Sequence, residues 1–206
     1  MNILIVSASA YEINPLLKLH TIGDHVECLI TGLGMVNTVF EMMTLLERKK
    51  FDLVINAGIC GAYSKQTNLG EVLNVTSDRF ADIALDHNGV FFPIDKALST
   101  TVNQIIENNS VVINPLLSSI EEATSITLNT ITGSNERKEQ ILQWYAPDIE
   151  TMEGAAVAFV CQQKRINYVQ LRGVSNYVEP RNTNNWNMPL AIKNLNQYIL
   201  EFLKFV

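Results

Sequence analysis

Short apolar runs alternate along the chain with longer segments in which apolar residues recur at helical spacing. The short runs are rich in Val, Ile and Leu, which is typical of strands buried on both faces of a sheet. This alternation predicts a single α/β domain over residues 1–206, with a central mixed, largely parallel sheet flanked by helices. The predicted strands are Asn2–Ser7, Val26–Ile30, Phe51–Ala57, Val72–Thr76, Ser125–Thr132 and Tyr168–Val174.

The segment Ile149–Cys161 predicts the most deeply buried helix. From Gly154 onward it is apolar almost all round, and its small residues allow close packing against a sheet. Ser134 predicts the N-cap of another helix, and Pro147 marks the end of that helix. Residues 83–97 have weak periodicity and predict a long loop or a short hairpin. The predicted helices are Tyr11–His20, Met35–Lys49, Leu98–Asn108, Asn135–Tyr145, the one beginning at Gly154, and Trp186–Lys204.

Composition narrows the class of protein. Hydrophobic residues make up 47% of the 206 residues and charged residues 17%, which is typical of a well-buried globular protein. The net charge of −6 argues against non-specific binding to nucleic acid or to an anionic membrane. No apolar run has the length of a membrane span, and the first residues lack the basic region of a signal peptide.

The number and spacing of the cysteines and histidines favour neither disulfides nor a metal site. Cys28, Cys60 and Cys161 are widely spaced and lie in apolar contexts, which favours reduced thiols in the cytoplasm. The three histidines include no pair at a metal-ligand spacing. We therefore expect a cytoplasmic protein with no metal and no cofactor.

Polar or glycine-rich turns follow five of the predicted strands. In one parallel sheet the ends of these strands meet at a shared edge, where open α/β sheets bind ligands. Each turn alone is weak support, but together they predict a small-molecule cleft. The turns are Ser7–Glu12, Thr31–Gly34, Gly58–Ala62, Gly133–Ser134 and Ser175–Asn182.

The glycines of Thr31–Gly34 let the backbone approach a ligand, but they match no nucleotide-binding signature. The third glycine of a dinucleotide fingerprint would fall on Asn37. A P-loop is also excluded here, because no Gly-Lys-Ser/Thr follows. A flavodoxin-like or dinucleotide-binding protein would fit the alternation of strands and helices, but not these spacings.

Two carboxylates, Glu12 and Glu153, lie at the starts of predicted helices beside this edge. Each has an ordinary interpretation, in which the carboxylate satisfies backbone N–H groups or the dipole of its own helix. Each also has a functional one, in which the carboxylate faces a ligand and Glu153 accepts hydrogen bonds from two adjacent hydroxyls. Position alone does not choose between them.

Six motifs in order resemble the nucleoside phosphorylase and nucleosidase superfamily over nearly the whole chain, closest to the branch that includes methylthioadenosine/adenosylhomocysteine nucleosidases. The resemblance implies a nucleoside phosphorylase-like fold and an enzyme that cleaves the N-glycosidic bond of a purine nucleoside. The motifs are the opening strand with Glu12, Thr31–Val36, Asn56–Gly61, Leu69–Val72, Met152-Glu153 and Arg172–Asn176.

The resemblance also implies roles for individual residues. Glu12 matches the water-activating glutamate, Glu153 the ribose-binding glutamate, and Asn176 the residue that holds the base; Met152 would pack on the sugar. A homo-oligomer, most simply a dimer, is expected. The resemblance places Gly34, Met35, Ile59, Cys60, Thr130, Ile131, Thr151, Met152 and Tyr177 in the substrate-binding set.

Asn176 departs from the adenine-specific members, which carry aspartic acid there. An aspartic acid can protonate N7 and accept from the 6-amino group, whereas the asparagine amide can donate to a 6-oxo group and accept from a protonated N7. The loop Ser175–Asn182 also resembles that of futalosine hydrolases, which release hypoxanthine from futalosine on a menaquinone pathway. We therefore expect hydrolysis of futalosine. The proton on N7 would come from solvent or another donor.

Other functions stay open at this point. Phosphorolysis is disfavoured because Ser7–Leu17 contains no Lys or Arg, although Arg79 and Arg172 remain. A methylthioadenosine/adenosylhomocysteine nucleosidase would release adenine instead of hypoxanthine. Asn176 can also indicate a weakened or inactive relative, or a module that binds nucleosides without turnover, although the presence of both glutamates argues against simple binding.

Overall fold

The computed structural model describes residues 1–19, 23–94 and 105–206. Its main sheet has strands from both halves of the chain, and a separate hairpin is formed by β5 and β6. The strands are β1 (Ile3–Ser7), β2 (Val26–Ile30), β3 (Leu53–Ala62), β4 (Val72–Asp78), β5 (Ala84–His87), β6 (Val90–Pro93), β7 (Ile106–Glu107), β8 (Glu122–Thr127), β9 (Ile149–Thr151) and β10 (Asn167–Tyr177).

The main sheet closes on itself. Its strand order is β10-β4-β8-β9-β3-β1-β2, and β10 also pairs with β3, so that β3, β9, β8, β4 and β10 form a ring. Both parallel and antiparallel pairings occur: β3 is parallel to β1 and β10 but antiparallel to β9, and β10 is antiparallel to β4. The single α/β domain with a mixed sheet is confirmed. A largely parallel sheet is not confirmed, because antiparallel pairings hold the ring together at two of its joints.

Helices pack on both sides of the sheet. They are α1 (Asn14–Leu17), α2 (Met35–Leu46), α3 (Asn135–Tyr145), α4 (Gly154–Lys164) and α5 (Met188–Phe202). Ser134 caps α3 by accepting from the backbone N–H of Arg137 at 3.2 Å, as the sequence predicted. Within the described ranges, no helix has the length and apolar character needed to cross a bilayer.

The core lies on both faces of the strands. Ile3 and Ile5 of β1 pack in one cluster with Leu195 of α5, whereas Leu4 and Val6 pack in a second cluster with α4. Successive side chains of a strand point to opposite faces, so an all-apolar strand needs cover on both sides. The small residues of α4 supply that cover at close range.

Two predicted turns are wrong because the strands continue through them. The turn expected at Gly58–Ala62 is the second half of β3, which pairs with β10 and β9. The start of the loop expected at Ser175–Asn182 is likewise strand, since β10 runs to Tyr177. Glycine favours a turn in local statistics, but here a closed ring of partners holds the backbone extended.

The predicted helix Tyr11–His20 is shorter than expected, and His20 lies outside the described residues. Pro15 stands in the first turn of α1, which begins only at Asn14. Proline lacks an N–H and cannot lie in the interior of a helix, so the helix cannot begin much earlier.

The middle of the chain departs further from the predictions. Residues 84–93 form the hairpin that was one of two alternatives, with Asn88 and Gly89 at positive φ in its turn. The helix predicted for Leu98–Asn108 does not reach its expected end, because Ile106–Glu107 is a strand paired with β4; residues 95–104 lie outside the described part. The strand predicted for Ser125–Thr132 is Glu122–Thr127.

Candidate active site

A cavity of about 260 Å³ lies at the ends of β1, β3, β9 and β10. Four of the five turns predicted from the sequence contribute residues to the wall of this cavity. The fifth turn, through Gly133, lines a neighbouring cavity of about 330 Å³. The first cavity is lined by Ala8, Ser9, Tyr11, Glu12, Leu33, Ile59, Cys60, Gly61, Leu128, Ile131, Glu150, Thr151, Met152, Glu153, Ser175, Asn176, Trp186 and Met188.

Glu12 is held by the small-residue turn that follows β1. Its Oε2 accepts hydrogen bonds from the backbone N–H and the hydroxyl of Ser9, at 3.0 and 2.9 Å, and from the hydroxyl of Ser7 at 3.2 Å. Its Oε1 accepts from the backbone N–H of Ile59 at 3.0 Å. The residue is 9% exposed and precedes Ile13, the N-cap residue of α1, so it is not the first-turn glutamate of that helix. The donors fix an acceptor at the cavity wall.

Glu153 is the N-cap residue of α4, yet its side chain makes no capping hydrogen bond. The hydroxyls of Thr151 and Thr127 accept from the first N–H groups of the helix instead. Glu153 Oε1 accepts from the backbone N–H of Gly34 at 2.8 Å. Gly34 has φ of 89°, a conformation that favours glycine and turns this N–H toward the carboxylate. The helix-capping interpretation of Glu153 is therefore wrong.

Burial raises the pKa of the Glu153 carboxyl above its ordinary value. The hydrogen bond from Gly34 and the positive charge of Arg172 lower it, and the nearby charge of Glu12 raises it further. A carboxyl with these neighbours gains from hydrogen-bond donors on a ligand, since they favour its ionised form.

Arg172 lies behind the cavity wall on β10 and is 3% exposed. In the part of the chain that the structure describes, its Nε and Nη2 have no hydrogen-bond partner. A Cβ on Gly58 would meet its guanidinium and lie 2.9 Å from Glu12 Oε1, so glycine leaves the room that both side chains use. The arginine acts on Glu153 through its charge and not through a direct contact.

Asn176 follows an irregularity in β10, where the register against β3 shifts between Val174 and Asn176. Such bulges redirect side chains beside functional sites. Asn176 Nδ2 donates to the Tyr177 carbonyl at 3.1 Å. Asn176 Oδ1 lies 2.7 Å from the hydroxyl of Ser175, whose single proton is shared between this oxygen and the Cys60 carbonyl at 3.0 Å. The Tyr177 carbonyl can only accept, so it sets which end of the amide donates. One lone pair and one N–H stay available for a ligand.

The other predicted residues fall into three groups. Ile59, Cys60, Ile131, Thr151 and Met152 line the first cavity, and Thr130 and Tyr177 line only the neighbouring one. Gly34 contributes its N–H to Glu153, whereas Met35 lies outside both walls and donates its N–H to Asn129 Oδ1 at 3.2 Å. Burial raises the pKa of Cys60 to about 12, so this cysteine is an apolar wall residue and not a nucleophile.

Sequence reasoning missed two features of the site. The sequence predicted Ser7–Glu12 only as a turn, although Ser7 and Ser9 supply most of the donors to Glu12. Glu150 was not singled out, although its carboxylate lines the cavity. A charged residue in the apolar strand before Met152 is the signal that would have identified it.

Proteins similar to this chain in sequence include both a futalosine hydrolase and 5′-methylthioadenosine/S-adenosylhomocysteine nucleosidases. A futalosine hydrolase of Acidothermus cellulolyticus is 26% identical over 178 residues, which cover 82% of this chain and 71% of the relative. A 5′-methylthioadenosine/S-adenosylhomocysteine nucleosidase of Bacillus velezensis is 28% identical over 166 residues, covering 75% and 69%. Similarity to the two kinds of enzyme is therefore nearly equal.

Solved structures share the fold over the full length. The nucleosidase of Neisseria meningitidis, in complex with methylthio-immucillin-A, superposes with a TM-score of 0.82 at 18% identity and covers 100% of this chain and 99% of its own. The Streptococcus pneumoniae nucleosidase in complex with 8-aminoadenine gives 0.82 at 18%, with full coverage of both chains. Residues 5–204 match the family model described as the phosphorylase superfamily. The chain belongs to the phosphorylase superfamily.

Proposed function

We propose that this chain hydrolyses the N-glycosidic bond of a purine nucleoside with a 6-oxopurine base, and that its substrate is futalosine. The observation that carries this function is the convergence of Glu12, Glu153 and Asn176 on one cavity. Cleavage of the bond develops positive charge on the sugar and negative charge on the base. A site with carboxylates at one end and an amide at the other stabilises both.

Glu153 binds the sugar in this proposal. Gly34 occupies Oε1, and no donor from the described residues occupies Oε2. The 2′- and 3′-hydroxyls would supply the missing hydrogen bonds and keep the carboxylate ionised beside the oxocarbenium-like sugar. Met152, in the same wall, packs against the ring.

Glu12 orients the attacking water and takes its proton. Its donors hold both oxygens in place, so the carboxylate presents its remaining lone pairs to the cavity without rearrangement. A general base held in this way contributes by position as much as by basicity.

Asn176 holds the base through N7 and O6. With Nδ2 held by the Tyr177 carbonyl, Oδ1 accepts from a protonated N7 and the second hydrogen on Nδ2 is donated to O6. Asparagine has no proton to give, so the proton on N7 comes from solvent or from another donor.

Hydrolysis fits the cavity better than phosphorolysis does. The described lining residues include the carboxylates of Glu12, Glu150 and Glu153, and none of them is Lys or Arg. Phosphate in the cavity would lie beside three carboxylates and would be repelled, because the one cation acting on them, Arg172, lies behind the wall and not among the described lining residues. Water carries no such penalty.

Methylthioadenosine/adenosylhomocysteine hydrolysis is the second candidate function. It is favoured by the 28% identity to the Bacillus velezensis relative. The neutral amide of Asn176 favours futalosine instead. A cytoplasmic location and a homodimer complete the proposal, and both follow from the family resemblance and the reduced cysteines.

The test is base release by the purified protein in phosphate-free buffer, from futalosine, inosine and methylthioadenosine in parallel. We expect hypoxanthine from futalosine, at a rate unchanged by added phosphate. Glu12→Gln should abolish most of the release, whereas Glu122→Gln, an exposed residue of β8, should not change it. Adenine from methylthioadenosine alone would select the second candidate, and release only with phosphate would contradict hydrolysis.

A further inference from the structure

The start of α4 is capped by a threonine from β8 and not by the side chain of its own N-cap residue, Glu153. The side chain of an N-cap residue usually accepts from the second or third N–H group of its helix. Here the second group, that of Ala155, donates to Thr127 Oγ1 at 2.7 Å. The third, that of Ala156, donates to the Glu153 carbonyl at 3.0 Å. Both positions that the Glu153 side chain could cap are therefore occupied.

Thr127 is held for this task by a buried carboxylate. It is the last residue of β8 and is fully buried, and its hydroxyl donates to Asp78 Oδ1 at 3.0 Å. Asp78 also accepts from Gln170 Nε2 at 2.7 Å and from the backbone N–H of Arg79 at 2.8 Å. With its proton directed to Asp78, the Thr127 oxygen keeps its lone pairs for other donors. One of these donors is the N–H of Ala155.

The cap does not depend on the charge of Asp78. Burial raises the pKa of the Asp78 carboxyl, and the hydrogen bonds from Gln170 and Thr127 oppose this shift. An ionised Asp78 accepts the Thr127 proton, whereas a protonated Asp78 can donate to Thr127. In both cases the threonine retains a lone pair for the N–H of Ala155.

The Glu153 carboxylate is committed to the cavity instead of the helix. Its Oε1 accepts from the backbone N–H of Gly34 at 2.8 Å, and the residue lines the cavity wall. Ala155 is fully buried, so its N–H would be costly without an acceptor. If Thr127 did not supply one, the helix start would compete with a ligand for the Glu153 carboxylate.

We propose that Thr127 is a positioning residue for Glu153, which keeps the carboxylate out of the helix cap and available to the hydroxyls of the sugar. The proposal rests on the proposed function for the presence of a ribose at Glu153. Thr127 is not among the described residues that line the cavity, so it acts through the start of α4 and not by contact with the ligand.

Two nucleosides that differ only in their hydroxyls test this role. Inosine carries the 2′- and 3′-hydroxyls, and 2′,3′-dideoxyinosine lacks both. Calorimetric titrations use the Glu12→Gln protein, so that neither nucleoside is consumed. Inosine should bind this protein at least about tenfold more tightly than the dideoxy compound, because hydrogen bonds to a charged group are strong. Adding Thr127→Val should reduce the ratio to below about threefold, as Glu153 turns to the N–H of Ala155.

Three controls separate positioning from stability. Thr127→Ser keeps the hydroxyl and should keep the ratio of the two affinities. Ser125→Ala removes another buried hydroxyl of β8, which donates to the Ile126 carbonyl at 3.3 Å, and it should also keep the ratio. Free hypoxanthine, which has no sugar, should bind all of these proteins with equal affinity. A purely structural role of Thr127 would weaken every ligand together and leave the ratio unchanged.

An unchanged ratio in a folded Thr127→Val would overturn the positioning role. Asp78 keeps its donors from Gln170 and Arg79 in this variant, so we expect it to fold. Should it not fold, Thr127→Ala also removes the hydroxyl and is judged by the same ratio.

A failure of the proposed function gives a different result. Equal binding of the two nucleosides by the Glu12→Gln protein itself, or binding of neither, would remove the sugar-binding role of Glu153 and the positioning role with it. A loss of the ratio only in the variants that lack the Thr127 hydroxyl supports both.

Discussion

The backbone N–H of Gly34 and the carboxylate of Glu153 are joined by a 2.8 Å hydrogen bond across 119 positions of sequence. The bond ties the glycine turn after β2 to the start of α4. It satisfies one oxygen of the carboxylate and leaves the other for a ligand.

The affinity for a nucleoside should fall as the pH is lowered, and the fall should begin at a higher pH than it would for a glutamate with an ordinary pKa. Burial raises the pKa of Glu153, so the acceptor form is lost as pH falls through a value above the usual ~4.3. The affinity for a slowly cleaved purine nucleoside should show this limb in a pH titration. The free base, which has no hydroxyls, is the control and should not show it.

The raised pKa of Glu153 also affects the stability of the fold. A glutamate with a raised folded-state pKa destabilises the fold when it is ionised, and this penalty is relieved as pH falls through the folded-state pKa. Glu153→Gln should therefore be at least as stable as the wild-type protein at neutral pH, with the difference shrinking at acid pH. Thermal unfolding over a pH series measures it, and a less stable variant at neutral pH would contradict the sign.

Glu12→Gln should lower kcat by about a hundredfold or more, while affinity for the free base stays nearly unchanged. The reason is that the amide keeps the shape of the side chain but cannot accept a proton from water. Ser9→Ala, which removes the 2.9 Å donor to Oε2, should give a smaller loss of kcat because the base remains but is less firmly held. Near-normal turnover in Glu12→Gln would exclude it as the base.

Gly154→Ala should destabilise the protein by about 1–3 kcal/mol, as overpacking of a core does. Helix propensity alone predicts a gain of about 1 kcal/mol. The steric term prevails because the new Cβ would meet Asp78 Oδ2 and lie 2.5 Å from Gln170 Nε2. Urea unfolding of this variant should be compared with Gly133→Ala, whose Cβ enters open space and should change stability by less than about 0.5 kcal/mol.

Asn176→Asp should raise hydrolysis of adenine nucleosides relative to 6-oxopurine nucleosides, because an aspartic acid can protonate N7 and accept from the 6-amino group. The ratio of kcat/KM for methylthioadenosine to that for futalosine measures the change. An unchanged ratio in the folded variant would contradict a role of Asn176 in base choice.

An apolar strip on α2 is a candidate contact for the expected homodimer. Val36 and Phe40, one helical turn apart, are 79% and 66% exposed, and Leu33 beside them lines the cavity at 65% exposure. The double change Val36→Glu and Phe40→Glu should shift the mass found by sedimentation from dimer to monomer. Phe205→Glu, at another exposed position, is the matched control and should not.

The sequence predicted the elements better than it predicted their ends. The continuous apolar run of β1 and the cap at Ser134 can be recognised from neighbouring residues in the chain, so local pattern was sufficient. The extension of β3 through Gly61 depends on β9 and β10, which are far away in sequence. Local pattern contains no information about those partners.

The residues of the candidate site also differ in whether local pattern or tertiary placement determines them. Glu12 and Glu153 stood out because carboxylates at strand ends are chemically conspicuous. Gly34 was expected to approach a ligand, but its hydrogen bond to Glu153 follows from tertiary placement. Glu150 was not predicted because it lies in a three-residue strand, and the donors to its carboxylate, Tyr63 and Thr132, come from separate segments.

The ring of five strands also constrains how proteins of this shape can diverge. The strands of Glu150 and Asn176 are hydrogen-bonded on both sides, so neither can slide without breaking two ladders at once. Point substitution therefore changes the side chains of these strands without disturbing the ladders. The segment that carries Trp186 lies outside the ring, where a change in loop length would leave the ladders intact. We therefore expect related proteins to differ in base specificity through single side chains. We expect their specificity for the sugar substituent to differ through loop length.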